Sequence, residues 1–309
     1  MITILSSPKP FRGNDKINQY NAISSWKKIN NAEIILYGDE EGIDEAGDEL
    51  HVKIFKDVKK SSYGIPLFNS IILHADKTGR YDIQMYINCD IILNDTIFLA
   101  LNSISFNRFL LIGERMDLSE GYGIDTFHSD YRQEILKLIY DNRISFHGPH
   151  GIDYFIFRKG IWDSLPDIIV GRGGYDSALI AHCLRNKIPI IDGTGTIIAL
   201  HQYHNYNHVK GDFKTVFYGE DAIINNKAQG GKYAGNWISD SDYYIDNNKL
   251  IRWKCRGEKL RSLELFLRHN LNFKTGAFLV RIIRRIIIMG PLLPPKVNSR
   301  ILNSLKKDK

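Results

Sequence analysis

Three features of this chain have residue types and spacing fit for chemistry. The first is Asp90, a lone carboxylate in the apolar run Tyr86-Ile87-Asn88-Cys89-Asp90-Ile91-Ile92-Leu93. An ionised carboxylate is too costly to bury unpaired, so Asp90 either faces a cation or ligand at a strand end or is a capped structural Asp. The second is Gly171-Arg172-Gly173-Gly174-Tyr175-Asp176, a glycine-rich loop ahead of a helix. Its glycines let backbone amides approach a ligand, and the helix N-terminus favours negative charge. Asp176 is then either a base within reach of a hydroxyl or an N-cap for a helix beginning at Ser177. The third is His201, which opens the cluster His201-Gln202-Tyr203-His204-Asn205-Tyr206-Asn207-His208. His201, His204 and His208 would share one face of a helix, as a zinc site needs, whereas Asn205 and Asn207 favour strand then loop and leave His201 as the single ligand candidate.

The elements that must position these residues follow an α/β pattern. Ile2 to Leu5 reads as a short strand, broken by Pro8-Lys9-Pro10, and Asn14 to Ile29 as a helix with Asn14 or Asp15 at its N-cap. Glu33 to Tyr37 is a second strand ending in Gly38-Asp39, where a carboxylate either bonds ribose or base or simply makes a turn. His51 to Phe55 reads as a strand, Leu67 to Ala75 as a helix, and Tyr81 to Leu93 as the central strand with its Asp90. Asn94-Asp95 caps a helix from Thr96 to Ser103, and Phe109 to Gly113 is a buried strand leading to Glu114-Arg115. Beyond Gly121 turns prevail, with a helix from Tyr131 to Asp141. Gly151 to Arg158, Pro189 to Asp192 and Thr196 to Leu200 are further strands, with a helix from Ser177 to Arg185. If the sheet is parallel, Asp90, the glycine loop and His201 converge where ligands bind, beyond the carboxyl ends of the strands. Together they can hold a divalent cation, Mg²⁺ or Mn²⁺, a diphosphate and a base. Such a cation neutralises charge on a departing nucleoside diphosphate.

The composition, 43% hydrophobic and 25% charged over 309 residues, excludes disordered and fibrous classes. Three cysteines far apart, Cys89, Cys183 and Cys255, are reduced packing residues rather than a disulfide or metal framework. The opening residues lack a cationic, apolar leader ending in small residues, so the expectation is a cytoplasmic protein. The net charge of +6 hides an asymmetry: from Lys249 onward 16 Lys or Arg stand against 3 Asp or Glu, a net of +13, leaving −7 on residues 1–248. Around Phe278 to Met289 a helical projection puts Arg281, Arg284 and Arg285 on one side and Leu279, Ile282, Ile283, Ile286 and Ile287 on the other. Three arginines are too many for a spanning helix, and the pattern suits one lying on anionic headgroups. The alternative is a core-packing helix with a solvated basic face. The apolar residues are aliphatic and offer no stacking surface for bases, so nucleic acid is not an expected partner.

The segments Ser7-Pro8-Lys9-Pro10-Phe11 with Gly38-Asp39, Tyr86 to Asp90, Gly151-Ile152-Asp153-Tyr154-Phe155, Gly171-Arg172 with Tyr175-Asp176, and Ile191-Asp192 with His201 to His204 resemble the bacterial GT-A type glycosyltransferases found among surface-polysaccharide enzymes. The resemblance spans roughly residues 1–210. It implies a Rossmann-like nucleotide-diphospho-sugar transferase core with a mostly parallel sheet; beyond it, composition and charge point to a loop-rich lid or linker over 211–248 and a basic helical tail over 249–309. It implies transfer of a sugar from a nucleotide-diphosphate donor to a hydroxyl acceptor, and the basic tail adds the expectation of a lipid-linked glycan met on the inner face of the membrane. The Asp-x-Asp motif that binds metal in that fold has Asn88 at its first acid, so Asp90 alone carries over, with His201 completing the metal shell around Mn²⁺ or Mg²⁺. Asp176 maps onto the base. Ser7, Pro8, Asp39, Asn88, Arg115, Asp153, Gly171 and Arg172 map onto the nucleotide-sugar site, although Arg115 beside Glu114 equally fits a surface ion pair. The rival readings are a metal-dependent nucleotide-sugar hydrolase or nucleotidyltransferase, and a non-catalytic sugar-nucleotide or membrane-binding protein.

Overall fold

A computed structural model describes residues 1–128, 130–203, 213–231, 235–253 and 263. In chain order the elements are β1 (Ile2–Ser6), α1 (Gly13–Lys27), β2 (Ala32–Tyr37), α2 (Ile43–Leu50), β3 (Lys53–Phe55), α3 (Phe68–Thr78), β4 (Ile83–Ile87), β5 (Ile91–Leu93), α4 (Thr96–Leu101), β6 (Leu110–Ile112) and β7 (Met116–Leu118). There follow α5 (Tyr131–Tyr140), β8 (Ile144–Phe146), β9 (Tyr154–Arg158), α6 (Tyr175–Arg185), β10 (Ile190–Asp192), β11 (Ala199–His201), α7 (Phe213–Tyr218), α8 (Glu220–Ala228), β12 (Tyr243–Asp246) and β13 (Lys249–Arg252).

Nine strands form the main sheet in the order β3-β2-β1-β4-β9-β6-β10-β12-β13, and four form a smaller one, β5-β11-β7-β8. In the main sheet β9 runs antiparallel to β4 and β6, and β13 to β12, while the remaining neighbours are parallel. The α/β class with a mostly parallel central sheet is therefore as the sequence predicts. Because successive strand residues point to opposite faces, the near-continuous apolar strands feed two cores at once. Ile4, Leu36, Met85, Ile87, Leu111, Ile156 and Ile191 pack with α1 and α2, while Leu5, Ile35, Tyr86, Leu110, Phe155, Phe157 and Ile190 pack with α3 and α6. A third core, including Ile92, Met116, Leu118, Leu200, Tyr131 and Ile135, fills the space between the smaller sheet and α5.

Several expectations change. The run Tyr81 to Leu93 is two strands in two sheets: β4 ends at Ile87, the chain turns with Ile91 N–H donating to Asn88 C=O at 3.2 Å, and β5 pairs antiparallel with β11. Periodicity cannot separate one long apolar strand from two short ones. Helix α1 begins at Gly13 behind Arg12, so Asp15 lies in its first turn rather than at the cap, and Ile17 is 60% exposed. Helix α2 occupies Ile43–Leu50, and the strand expected from His51 starts at Lys53. The strand expected over Thr196 to Leu200 is shifted to Ala199–His201. Segment 211–248 carries α7, α8 and β12, and the boundary drawn between 248 and 249 falls inside the β12–β13 hairpin, whose residues Asp246 and Lys249 face each other. The amphipathic run 278–289, Cys255, His204 and His208 lie outside the described residues.

Candidate functional site

The parallel strands β1, β2, β4, β6 and β10 all end on one edge of the main sheet, and antiparallel β9 begins there. That edge carries Ser7 and Pro8 after β1, Asp39 after β2, Asn88 to Asp90 after β4, Glu114 and Arg115 after β6, Asp192 at the end of β10, and Asp153 just ahead of β9. In an open α/β sheet this is the edge that binds ligands.

Asp90 sits where the chain passes from the main sheet to the smaller one. Pairing of β5 with β11 sets Ile91 opposite His201, and pairing of β11 with β7 sets His201 opposite Asp117. The outcome is a row of side chains: Asp90 Oδ2 is 3.7 Å from His201 Nε2, and His201 Nδ1 is 3.5 Å from Asp117 Oδ1. The Asp90 and His201 side chains are only 12% and 10% exposed. Lys9 Nζ stands 3.4 Å from the same Asp90 oxygen. The Lys9 loop is clamped by Gln19 of α1, which accepts from Lys9 N–H at 2.6 Å and donates to its C=O at 3.0 Å. Gln202 locks the other side, donating to the carbonyls of Asn18 at 2.7 Å and Asp90 at 3.0 Å. His201 lies in a strand, so it is not the first of three histidines on a helical face.

Beside this row Arg115 is committed to two carboxylates, Asp153 through NH1 at 2.7 Å and Asp117 through Nε at 2.9 Å. It is a half-enclosed clamp in a charge-assisted network, and its ion-pair partners are not the neighbouring Glu114. Asp153 also accepts from Asn88 Nδ2 at 2.6 Å. His147 Nδ1 is 2.6 Å from Asp117 Oδ2. Glu114 accepts from Gly148 N–H, and burial raises its carboxyl above the usual range against that bond, with the Asp192 charge adding to the rise.

Asp176 joins the same neighbourhood. Helix α6 starts at Tyr175 with Gly174 as its N-cap (φ +82°), so Asp176 is inside the first turn and not the cap. Burial pushes its carboxyl up to about 6; the Ser177 N–H, donated at 2.8 Å, opposes the rise and the nearby Asp153 charge adds to it. A carboxyl raised toward pH 7 has the proton affinity that a general base requires.

The glycine loop serves packing as much as it could serve a ligand. Gly173 N–H donates to Val216 C=O at 3.0 Å, and a Cβ at Gly173 would lie 2.8 Å from the Phe217 carbonyl oxygen. Asn225 of α8 pins the loop from below, exchanging two 2.8 Å bonds with Ile169 and donating to Arg172 C=O at 3.3 Å. Arg172 Nε is 3.9 Å from Asp221, and Gly171, at φ +64°, has open space around its Cα. Asp39 is exposed and bonded to Lys60 Nζ, which holds its carboxyl below the usual range. Ser7 is partly exposed and Pro8 buried. Thus Asp90, His201, Asp117, Arg115, Asp153 and Asn88 form a connected row, Asp176 feels the Asp153 charge without touching the row, Ser7, Pro8 and Asp39 lie along the same edge, and Gly171 and Arg172 stand at the foot of α6. A cleft of about 1230 Å³ between α1 and α5 is lined in part by Asn18, Tyr122, Phe127, Gln202 and Tyr203, the last two directly following His201 in the chain.

The donor set bears on a cation. Among the described residues no group of three or more His, Cys, Asp or Glu side chains is arranged to hold a metal ion. The 3.7 Å gap between Asp90 and His201 is longer than a hydrogen bond. It is short enough for one ion to bond both at about 2.1 Å. One carboxylate and one imidazole would suit Mn²⁺, or Mg²⁺ less well, as a partial donor set, and Asp90 and His201 are the residues that would hold it.

No family model matches this chain. No curated protein matches it either. Among solved structures it is similar to S. aureus TarS 1-349 in complex with UDP-GlcNAc, at 13% identity over 98% of this chain and 83% of that one, TM-score 0.47. It is similar to the mannosyltransferase PcManGT from Pyrobaculum calidifontis in complex with GDP-Man and Mn²⁺, at 9% identity over 98% and 78%, TM-score 0.46. It is also similar to glucosyl-3-phosphoglycerate synthase from Mycobacterium tuberculosis in complex with phosphoglyceric acid, at 11% identity over 82% and 86%, TM-score 0.46.

Asp117, His147, Gln19 and Gln202 were not singled out in the sequence. Asp117 and His147 lie in a turn-rich stretch whose strands are three residues long, too short for alternation to register. The only signal at Asp117 is an acid between Met116 and Leu118.

Proposed function

We propose that the chain is a GT-A type glycosyltransferase that moves a sugar from a nucleotide-diphosphate donor to a hydroxyl of an acceptor. The observation that carries this reading is the meeting of Asp90 with His201 at the carboxyl edge of the sheet, beside the Arg115–Asp153 pair and the raised carboxyl of Asp176. In this reading Ser7, Pro8 and Asp39 line the nucleotide, and Asp90 and His201 hold Mn²⁺ or Mg²⁺. When bound, the cation neutralises charge on the departing diphosphate. Asp176 takes the proton of the acceptor hydroxyl as the new glycosidic bond forms, so the attacking oxygen carries less positive charge. Asn88 and Arg115 fix Asp153, whose charge keeps Asp176 basic. Gly171 and Arg172 border the sugar, and the cleft between α1 and α5, with the exposed faces of Tyr122 and Tyr203, takes the acceptor glycan.

The acceptor in this reading is a lipid-linked glycan of surface polysaccharide synthesis, reached from the inner face of the membrane. The support is the charge split, because an acidic body of net −7 is attracted to anionic lipid only through its +13 tail. No helix among the described residues is long and apolar enough to cross a membrane.

The test is a thermal-shift screen of sugar nucleotides with and without Mn²⁺, because a ligand held only by the folded chain raises its melting temperature. It is followed by incubation of the stabilising donor with and without glycan acceptors. Transfer that needs the acceptor is the expected result. Donor cleavage independent of any acceptor identifies a nucleotide-sugar hydrolase instead, and binding without turnover identifies a non-catalytic sugar-nucleotide protein.

A further inference from the structure

The ring of His201 has two nitrogens, and the fold puts a different carboxylate opposite each: Asp90 Oδ2 at 3.7 Å from Nε2 and Asp117 Oδ1 at 3.5 Å from Nδ1. An imidazole that ligates an ion through one nitrogen is fixed in tautomer and orientation by what the other nitrogen touches. We infer that Asp117 is the positioning residue of the metal-facing histidine: its negative charge, 3.5 Å from Nδ1, favours the tautomer that carries its proton on Nδ1 and so leaves the Nε2 lone pair on the side of Asp90. The inference rests on the metal-site reading above.

Asp117 is built for that task. Backbone pairing fixes it on both sides, opposite His201 in β11 and opposite Ser145 in β8. Its side chain is held by Arg115 Nε at 2.9 Å on Oδ1 and by His147 Nδ1 at 2.6 Å on Oδ2. Arg115 NH2 also lies 3.2 Å from His147 Nδ1, but a guanidinium only donates. The short contact to the carboxylate therefore assigns the His147 Nδ1 proton to Asp117. Both oxygens being engaged, the two contacts favour the Asp117 rotamer that stands beside His201. The same arginine reaches Asp153, so the carboxylate that orients His201 and the one that neighbours Asp176 are held by one guanidinium.

The test titrates the full-length protein with Mn²⁺ alone and reads free and bound ion by electron paramagnetic resonance. Electron spin echo modulation reports a directly bound imidazole nitrogen. His201→Ala is expected to abolish the nitrogen modulation. Asp117→Ala is expected to weaken Mn²⁺ by about 10- to 100-fold and diminish the modulation. Asp117→Asn is expected to recover part of both, since an amide oxygen still turns partial negative charge toward Nδ1, and it serves as the probe if Asp117→Ala fails to fold. A role in folding alone would lower the melting temperature of both variants and leave the Mn²⁺ affinity of the folded protein unchanged. Unchanged affinity in both Asp117 variants, with loss in His201→Ala, overturns the inference and leaves the transferase reading standing. Wild-type protein that takes up no Mn²⁺ removes the cation from that reading and overturns the inference with it.

Discussion

Asn88 donates through Nδ2 to Asp153 Oδ1 at 2.6 Å, and Asn88 N–H donates to the Asp153 carbonyl at 3.0 Å. The residue two before Asp90 thus acts as a donor to an acid, a role that a carboxylate at 88 could not fill. Restoring an Asp-x-Asp motif with Asn88→Asp would set two carboxylates at hydrogen-bond distance. The expected outcome is a loss of about 1–3 kcal/mol in urea denaturation at pH 7, with no gain in Mn²⁺ affinity. Tighter Mn²⁺ binding in the variant would place Asn88 at the metal rather than at Asp153.

Asp176 predicts a pH dependence. Its carboxyl is pushed up from an ordinary value of 3.8 to about 6, so between these values the folded chain holds a proton that the unfolded chain has lost. Raising the pH across that window therefore removes stability, and above pH 6 the carboxylate is ionised and able to act as a base. Transfer rate is expected to climb through about pH 6, Asp176→Asn to lower it about 10²- to 10⁴-fold, and the variant to lose less stability than wild type between pH 4 and 7. A pH–rate profile with urea melts at both pH values checks all three.

Gly173 lies against the backbone of Phe217, where a Cβ would be 2.8 Å from its carbonyl oxygen and 3.0 Å from its Cα. Backbone cannot step aside as a flexible side chain can, so Gly173→Ala must push α7 off the loop that precedes Asp176. The expected cost is about 1–3 kcal/mol by chemical denaturation. Gly123→Ala, with nothing within 4 Å of the added carbon, is expected to change stability by about 0.5 kcal/mol or less.

The tail carries the membrane part of the proposal. Full-length protein is expected to sediment with anionic vesicles, to be released as salt screens the attraction, and to stay in solution after deletion of residues 273–309. Sedimentation that survives the deletion assigns the contact to the folded body.

Much of the architecture was legible because its determinants are local. Apolar runs such as Glu33 to Tyr37, Phe109 to Gly113 and Gly151 to Arg158 mark strands buried on both faces, and the polar residues that flank them, Asp39, Arg115 and Asp153, stand out against their surroundings, as Asp90 does within Tyr86 to Leu93. The glycine loop was legible as a loop, but its use was not: whether a bare Cα faces a ligand or Phe217 depends on where α7 comes to rest.

What the sequence determined by itself is which residues end the apolar runs, since alternation and turn chemistry act over a few residues. What only the tertiary structure decided is which of those ends meet. Gln202 reaches the Asp90 carbonyl across 112 positions, and His201 and Asp117 face each other because of the register in which β11 pairs with β7. Such a register is set by the packing of both faces of a sheet, a property of the whole assembled core that no window of the sequence contains.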